Sequence, residues 1–290
     1  MLLPEDSLRD IVQRALAEDL GTSGDLTARL SLPSGARGEV EIVARQVGVL
    51  AGVDVARECF QSTDPEVEFG GDDLPDGAAL APGTVVATMR GDAAALLGAE
   101  RTALNFLQRL SGVATRTREF VDAVAGLPVR IMDTRKTTPN LRFLEKDAVR
   151  VGGGTNHRIG LFDQVLLKEN HFAMSGRPYE DVVRAAVAAV DSPVIAEAQT
   201  MEEALAAVAG GAGVVLLDNF TPGPELVSTV ESIRARASRK ACAVEIEASG
   251  GVTLANVRAF AECGVDRISV GALTHSVMSL DLSLLSKNTA

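Results

Sequence analysis

The chain has 290 residues, room for two domains or for one barrel with additions, and its 46% apolar and 23% charged residues are the balance of a globular protein rather than a disordered one. A net charge of −11 argues against bulk nucleic-acid binding, and no apolar run reaches the length of a membrane span. Cys59, Cys242 and Cys263 are odd in number and lack CxxC spacing, which argues against a disulfide framework or a zinc site; all three read as buried thiols.

The opening MLLPEDSLRDIVQRALAEDL carries acidic residues early and has amphipathic spacing, so it is neither a signal nor a transit peptide, and the expected location is cytoplasmic. Ser7 to Asp10 resembles a capping box, and Leu8, Ile11, Val12, Ala15 and Leu16 share one helical face. A Gly-rich stretch follows with strand candidates at 39–44, 47–51 and 84–89. Gly91 and Asp92 open a long helical pattern through Leu96, Leu97, Leu104, Leu107, Leu110 and Val113. Up to about residue 110 the pattern is an α+β domain around a small sheet.

From residue 129 onward short apolar runs recur at 129–132, 164–167, 193–196, 213–217, 243–246 and 267–270. Helix-length segments at 179–190, 201–208, 224–236 and 254–262 alternate with them. Thr200 with Glu203 forms a capping box, and Thr221 with Pro222 reads as an N-cap followed by Pro at the first helical position. Such strands indicate a buried parallel sheet. Strand after strand ends in a charged or Gly-rich cluster, which favours an α/β barrel of TIM-like form with six to seven strands over a doubly wound sheet with one switch point.

Those strand ends carry the candidate chemistry. Arg135, Lys136, His157, Arg158, Lys168 and His171, with Thr134 among them, gather cations that suit planar carboxylates and phosphates, against the chain's acidic balance. Glu197 and Asp218 end neighbouring strands, where two carboxylates could bind Mg²⁺, hold ribose hydroxyls or form structural ion pairs. Ser249, Gly250 and Gly251, and then Val270, Gly271 and Ala272, lie where a barrel grips phosphate, and His275 follows.

The runs EDLGTSGDLTA (18–28), ERTALNFLQRLSG (100–112), DTRKTTP (133–139), EKDAVRVGGGTNHR (145–158), LLKENH (166–171), LLDN (216–219), ASGG (248–251) and SVGALTHS (269–276) resemble quinolinate phosphoribosyltransferase, nearly end to end and in order. The resemblance implies an N-terminal α/β sandwich domain (1–112, with the tail 276–290 returning to it) and an open α/β barrel (113–275). It implies a homodimer or larger homo-oligomer with a shared site. It implies transfer of phosphoribosyl from phosphoribosyl pyrophosphate to quinolinate with decarboxylation, and no nucleic-acid or membrane partner. By motif, Arg135, His157, Arg158 and Lys168, with Arg101 from the partner subunit, would hold quinolinate. Lys136 would face the phosphates, Glu197 and Asp218 would hold ribose hydroxyls or Mg²⁺, and the glycine loops with His275 would cradle the 5′-phosphate. One departure stands out: the family alternates two glutamates along the strand ending at Glu197, and here the earlier position is Ile195. A sister pyrophosphorylase taking another anionic base, and a non-catalytic phosphate-binding barrel, are the competing readings.

Overall fold

The computed structural model describes residues 5–287. The chain runs α1 (Glu5–Leu20), α2 (Leu26–Ser31), β1 (Arg37–Ala44), β2 (Gly48–Val49), α3 (Val53–Thr63), β3 (Glu68–Phe69), β4 (Ala79–Leu80), β5 (Val85–Asp92) and α4 (Ala93–Ala123). It continues through β6 (Arg130–Met132), α5 (Arg142–Val151), β7 (Leu166–Leu167), α6 (Glu169–Ser175), α7 (Tyr179–Ala189), β8 (Ile195–Ala198) and α8 (Met201–Gly210). The last elements are β9 (Val214–Asp218), α9 (Pro224–Lys240), β10 (Glu245–Ser249), α10 (Val257–Glu262), β11 (Arg267–Ser269), α11 (Ala272–His275) and β12 (Leu282–Ser286).

Packing divides the chain into two units. One comprises the residues up to Arg118, Thr138–Gly153 and those from Ser276 on; the other comprises Glu119–Thr137 and Gly154–His275. This grouping differs from a division at residue 112, for two local reasons. Helix α4 runs through that point without a break. Helix α5 is tied to it: the Arg109 guanidinium lies 2.8 Å from the fully buried Glu145 carboxylate, and Arg118 Nε donates to the Gly152 carbonyl at 3.0 Å.

The first unit is built on an antiparallel sheet in the order β12-β1-β5-β3. Val40 faces Met89 across β1 and β5, and both are buried. The end of the chain supplies an edge strand, β12 pairing with β1 from Val40↔Ser286 to Ala44↔Leu282. The approach to it is close: a Cβ on Gly112 would stand 2.3 Å from the Met278 carbonyl oxygen. The first helix extends back to Glu5, so Ser7 is an interior helical residue and not the N-cap expected of it. Asp92 does start α4, its carboxylate accepting from the Ala95 amide at 2.9 Å.

The second unit carries six parallel strands in the order β6-β11-β10-β9-β8-β7, with helices of the same unit between successive strands from β7 onward. Its interior is apolar, with Ile195, Val215, Leu217, Ile246, Ala248 and Ile268 fully buried, as expected of strands covered on both faces. Thr200 caps α8 by accepting from the Glu203 amide at 3.2 Å, while the Glu203 carboxylate takes the Gln199 amide rather than that of Thr200. Helix α9 starts two residues later than Thr221 and Pro222 suggested: Gly223 is the N-cap, and the proline in the first turn is Pro224. Of the cysteines, Cys59 and Cys263 are buried and Cys242 is exposed, which corrects the reading of three buried thiols. Burial pushes the Cys59 thiol up to about 12, so it stays protonated and unreactive. No described helix is long and apolar enough to cross a membrane.

Candidate active site

The C-terminal ends of the six parallel strands surround a cavity of about 720 Å³. Its walls include Thr134, Arg135 and Lys136 after β6, His157 and Arg158 before β7, Lys168 after it, and Glu197 and Asp218 on β8 and β9. Ser249, Gly250 and Gly251 from the end of β10, and Gly271, Ala272 and His275 after β11, complete the ring. Placement at the C-terminal rim is what parallel βα units impose on a site.

The cationic side is held from beneath by a buried carboxylate. Asp133, fully buried, accepts from the His157 amide at 2.8 Å and from Asn156 Nδ2 at 2.5 Å. The His157 Nδ1 atom accepts the Arg158 amide at 2.8 Å, and Arg158 reaches the Gln164 carbonyl at 3.1 Å. Burial and then the charge of Arg135 push the Arg158 guanidinium below its ordinary pKa, with Asp163 opposing them. Two neighbouring guanidiniums on a cavity wall suit an anionic group. Arg135 adds a buried Nε without a hydrogen-bond partner.

The neighbouring strand ends, on β8 and β9, carry the carboxylates. Glu197 accepts Lys168 Nζ at 3.1 Å and the Glu169 amide at 3.3 Å. Asp218 is raised above the ordinary carboxylate range, first by burial and next by the charge of Glu197, with Lys168, Ser249 and Lys136 pulling it back. Two facing carboxylates of this kind fit a cation or a pair of sugar hydroxyls. Among the described residues no group of three or more His, Cys, Asp or Glu is arranged to hold a metal ion. A Mg²⁺ bound here would therefore take most of its six oxygens from water and from a phosphorylated substrate.

Between these walls lies the glycine turn. Asn219 has φ 62° and Gly250 φ 88°. A Cβ on Gly250 would meet Asn219 Oδ1 at 2.4 Å, so both the backbone angle and the close approach require glycine there.

Beneath Glu197, the fully buried Ile195 packs with Leu166, Val214 and Leu216, two of which also form cavity wall. The position that departs from the expected glutamate thus belongs to an apolar layer under the site. Two expected site residues lie elsewhere. The Val270 amide donates to the Met132 carbonyl at 2.9 Å and its side chain is buried, so it is not an available phosphate donor. Arg101 is exposed on α4, in a concavity of the first unit with Glu18, Asp19, Asn105 and Arg109.

Asp133, Asn156, Asn219 and Glu247 stand in the clusters at the strand ends and beside the glycines, but the sequence alone assigned them no role. Glu247 is fully buried, accepts Arg267 Nε at 2.7 Å and the Ser269 hydroxyl, and lines the cavity. The signal that marked Glu197, a carboxylate flush against an apolar run, was present for Asp133 and Glu247 as well.

Two family models match the chain: the quinolinate phosphoribosyl transferase N-terminal domain over residues 25–111 and the C-terminal domain over residues 113–285. A probable nicotinate-nucleotide pyrophosphorylase (carboxylating) of Bacillus subtilis is 43% identical over 278 residues, covering 96% of this chain and 92% of that protein. The nicotinate-nucleotide pyrophosphorylase (carboxylating) of Mycobacterium leprae is 42% identical over 283 residues, covering 96% and 97%. The solved structure of the nicotinate-nucleotide pyrophosphorylase from Francisella tularensis superposes with a TM-score of 0.89 at 35% identity, covering 98% of each chain.

Proposed function

The chain belongs to the quinolinate phosphoribosyltransferase family, and from that premise we propose how its rim carries out the family's reaction. That reaction transfers phosphoribosyl from phosphoribosyl pyrophosphate to quinolinate and yields nicotinate mononucleotide, CO₂ and pyrophosphate in de novo NAD biosynthesis. The observation that carries the assignment of roles is the polarity of the cavity: Arg135, His157, Arg158 and Lys168 on one arc, Glu197 and Asp218 on another, and the Gly250 turn between strand ends.

In this reading Arg135 and Arg158 hold the quinolinate carboxylates, with His157 and Lys168 beside them, and relieve the mutual repulsion of the two guanidiniums. The pyridine nitrogen forms a bond to C1 of the sugar as the C1–oxygen bond to pyrophosphate breaks. Lys136 offsets the charge that grows on the departing pyrophosphate. The C2–carboxylate bond of the ring then breaks, its electron pair is drawn toward the pyridinium nitrogen, CO₂ departs and C2 takes a proton. Glu197 and Asp218 orient the ribose hydroxyls or hold Mg²⁺, which when bound neutralises pyrophosphate charge. The amides of Ser249 to Gly251 and of Gly271 and Ala272, with His275, receive the 5′-phosphate.

The proposal extends to the assembly: a homodimer in the cytoplasm, in which Arg101 of one subunit completes the quinolinate pocket of the other. The test is stoichiometric release of CO₂ and pyrophosphate from quinolinate and phosphoribosyl pyrophosphate, with and without Mg²⁺. Pyrophosphate release with a different pyridine and none with quinolinate would overturn the substrate assignment.

A further inference from the structure

We propose that Tyr179 is a positioning residue for Glu197, its hydroxyl anchoring the carbonyl of that residue so that the carboxylate keeps its place in the cavity wall. The inference rests on the reading above for what Glu197 then holds, the ribose hydroxyls or Mg²⁺.

The strand that carries Glu197 has lost one neighbour by that point. β7 is two residues long, and its pairing with β8 stops at Ala196. Glu197 is buried, and a buried carbonyl at a strand end needs a donor. The Tyr179 hydroxyl supplies one at 2.7 Å, a full-strength O–H···O distance. Burial, and then the charges of Glu203 and Glu197, push the phenol above its ordinary pKa, so it stays a donor. The ring is fixed as well, stacked on Phe172 with centroids 3.8 Å apart and planes 13° from parallel.

Phe172 belongs to α6, the helix whose first residues reach the other end of Glu197. Lys168 Nζ donates to its Oε2 at 3.1 Å and the Glu169 amide to its Oε1 at 3.3 Å. The start of α6 is closed by His171, whose Nδ1 accepts the Lys168 amide at 2.8 Å. Gln199 Nε2 donates to Glu169 Oε2 at 2.8 Å and ties the turn after β8 to the same helix. Glu197 is thus gripped at its carboxylate from α6 and at its backbone from α7. Lys168 is half in water and is shared with the quinolinate pocket in the reading above. The carbonyl bond is therefore the anchor that persists when that lysine turns to a ligand.

Tyr179 is the one tyrosine of a chain without tryptophan, so its Raman doublet needs no assignment. In the ligand-free protein the expected doublet is that of a strong hydrogen-bond donor. Tyr179→Phe keeps the ring and its stack and removes only the hydroxyl. Its KM for phosphoribosyl pyrophosphate should rise roughly three- to tenfold, the weight of one hydrogen bond, while the KM for quinolinate stays within about twofold. Made in a Glu197→Gln background, the same change should add little, because a group that acts through Glu197 has lost what it places. A phenol that does not donate, or a full additional rise in the Glu197→Gln background, overturns the proposal. If Tyr179→Phe does not fold, Phe172→Leu removes the stack and keeps the hydroxyl; a smaller rise in the same KM is expected, and no rise overturns the proposal. A normal KM for phosphoribosyl pyrophosphate in Glu197→Gln removes the role given to Glu197 and the proposal with it. A raised KM there beside a normal one in Tyr179→Phe removes the proposal alone.

Discussion

Glu197 Oε2 lies 3.1 Å from Lys168 Nζ, and the two ends of this pair differ sharply in environment: the carboxylate is 7% exposed and the lysine side chain 51%. With one end half in water, the pair stabilises the fold by no more than about 1 kcal/mol. Lys168→Ala should therefore leave the melting temperature nearly unchanged. The same change should lower kcat/KM by roughly 30- to 1000-fold, the weight of about 2–4 kcal/mol of lost electrostatic stabilisation. Thermal denaturation and steady-state kinetics on one preparation check it. A large stability loss with intact turnover would make the lysine structural.

Arg135→Lys separates charge from geometry. Lysine keeps the positive charge but cannot make two parallel hydrogen bonds to a carboxylate. Losing one charge-assisted hydrogen bond of about 1.5–3 kcal/mol should raise the KM for quinolinate roughly tenfold or more. Arg135→Ala should be worse still. Near-normal kinetics in the alanine variant would remove this residue from the pocket.

The two glycines after Ser249 should respond differently to alanine. Both have positive φ, 88° at Gly250 and 63° at Gly251. Only at Gly250 does an added Cβ strike backbone and side chain, at 2.9 Å and 2.4 Å in Asn219; at Gly251 nothing lies within 4 Å. Gly251→Ala should cost about 1–2 kcal/mol of backbone strain alone. Gly250→Ala should cost more and also weaken binding of phosphoribosyl pyrophosphate. Urea denaturation of both variants, with binding measured by calorimetry, gives the order.

The buried Glu247 sets a pH dependence whose sign follows from its lowered folded-state pKa. The unfolded chain binds its proton near the ordinary value of 4.5, and the folded chain only below that. The stabilisation is complete above that value and drains away as the pH falls through it toward the folded value. Melting temperature measured from pH 7 to pH 3 should fall more steeply below about pH 4.5 in the unaltered protein than in Glu247→Gln. Parallel curves would contradict the assignment of this carboxylate as a buried anion.

Much of this was legible from the chain alone. All six parallel strands announce themselves as short apolar runs, and the charged residues at their ends stand out because no core-packing rule places Lys168 or Glu197 there. The small pieces were not legible: β3 and β4 have two residues each, too few for any periodicity. Helix α3 did carry a helical signal, Val55, Ala56, Cys59 and Phe60 on one buried face, which the surrounding glycines obscured. The start of α9 shifted because Gly223 and Pro224 compete with Thr221 and Pro222 for the same local role. Asp133 and Glu247 stand in the strand-end clusters but received no role, for a different reason. Their importance lies in partners 20 or more positions away, Asp133 with His157 and Glu247 with Arg267, and the strand register that makes those meetings is not written locally.

The parallel sheet ends at β6 and at β7, and beyond β6 a bridge joins Met132 to Thr155. The strands bearing Glu197, Asp218 and Ser249 are laced to neighbours on both sides. Residues 133–136 and 155–163, which bear Arg135, Lys136, His157 and Arg158, are joined by the backbone bond from the Asp133 amide to the Thr155 carbonyl at 3.2 Å and by side chains, Asp133 to His157 and Asn156, and Asp163 to the amides of Ile159 and Gly160. On the proposed roles, the sugar is thus held by residues on strands paired on both sides, and the base by residues on loops beyond β6 and before β7. On those roles, product release is expected to begin at the loops that hold the base, where the backbone pairing of the sheet ends.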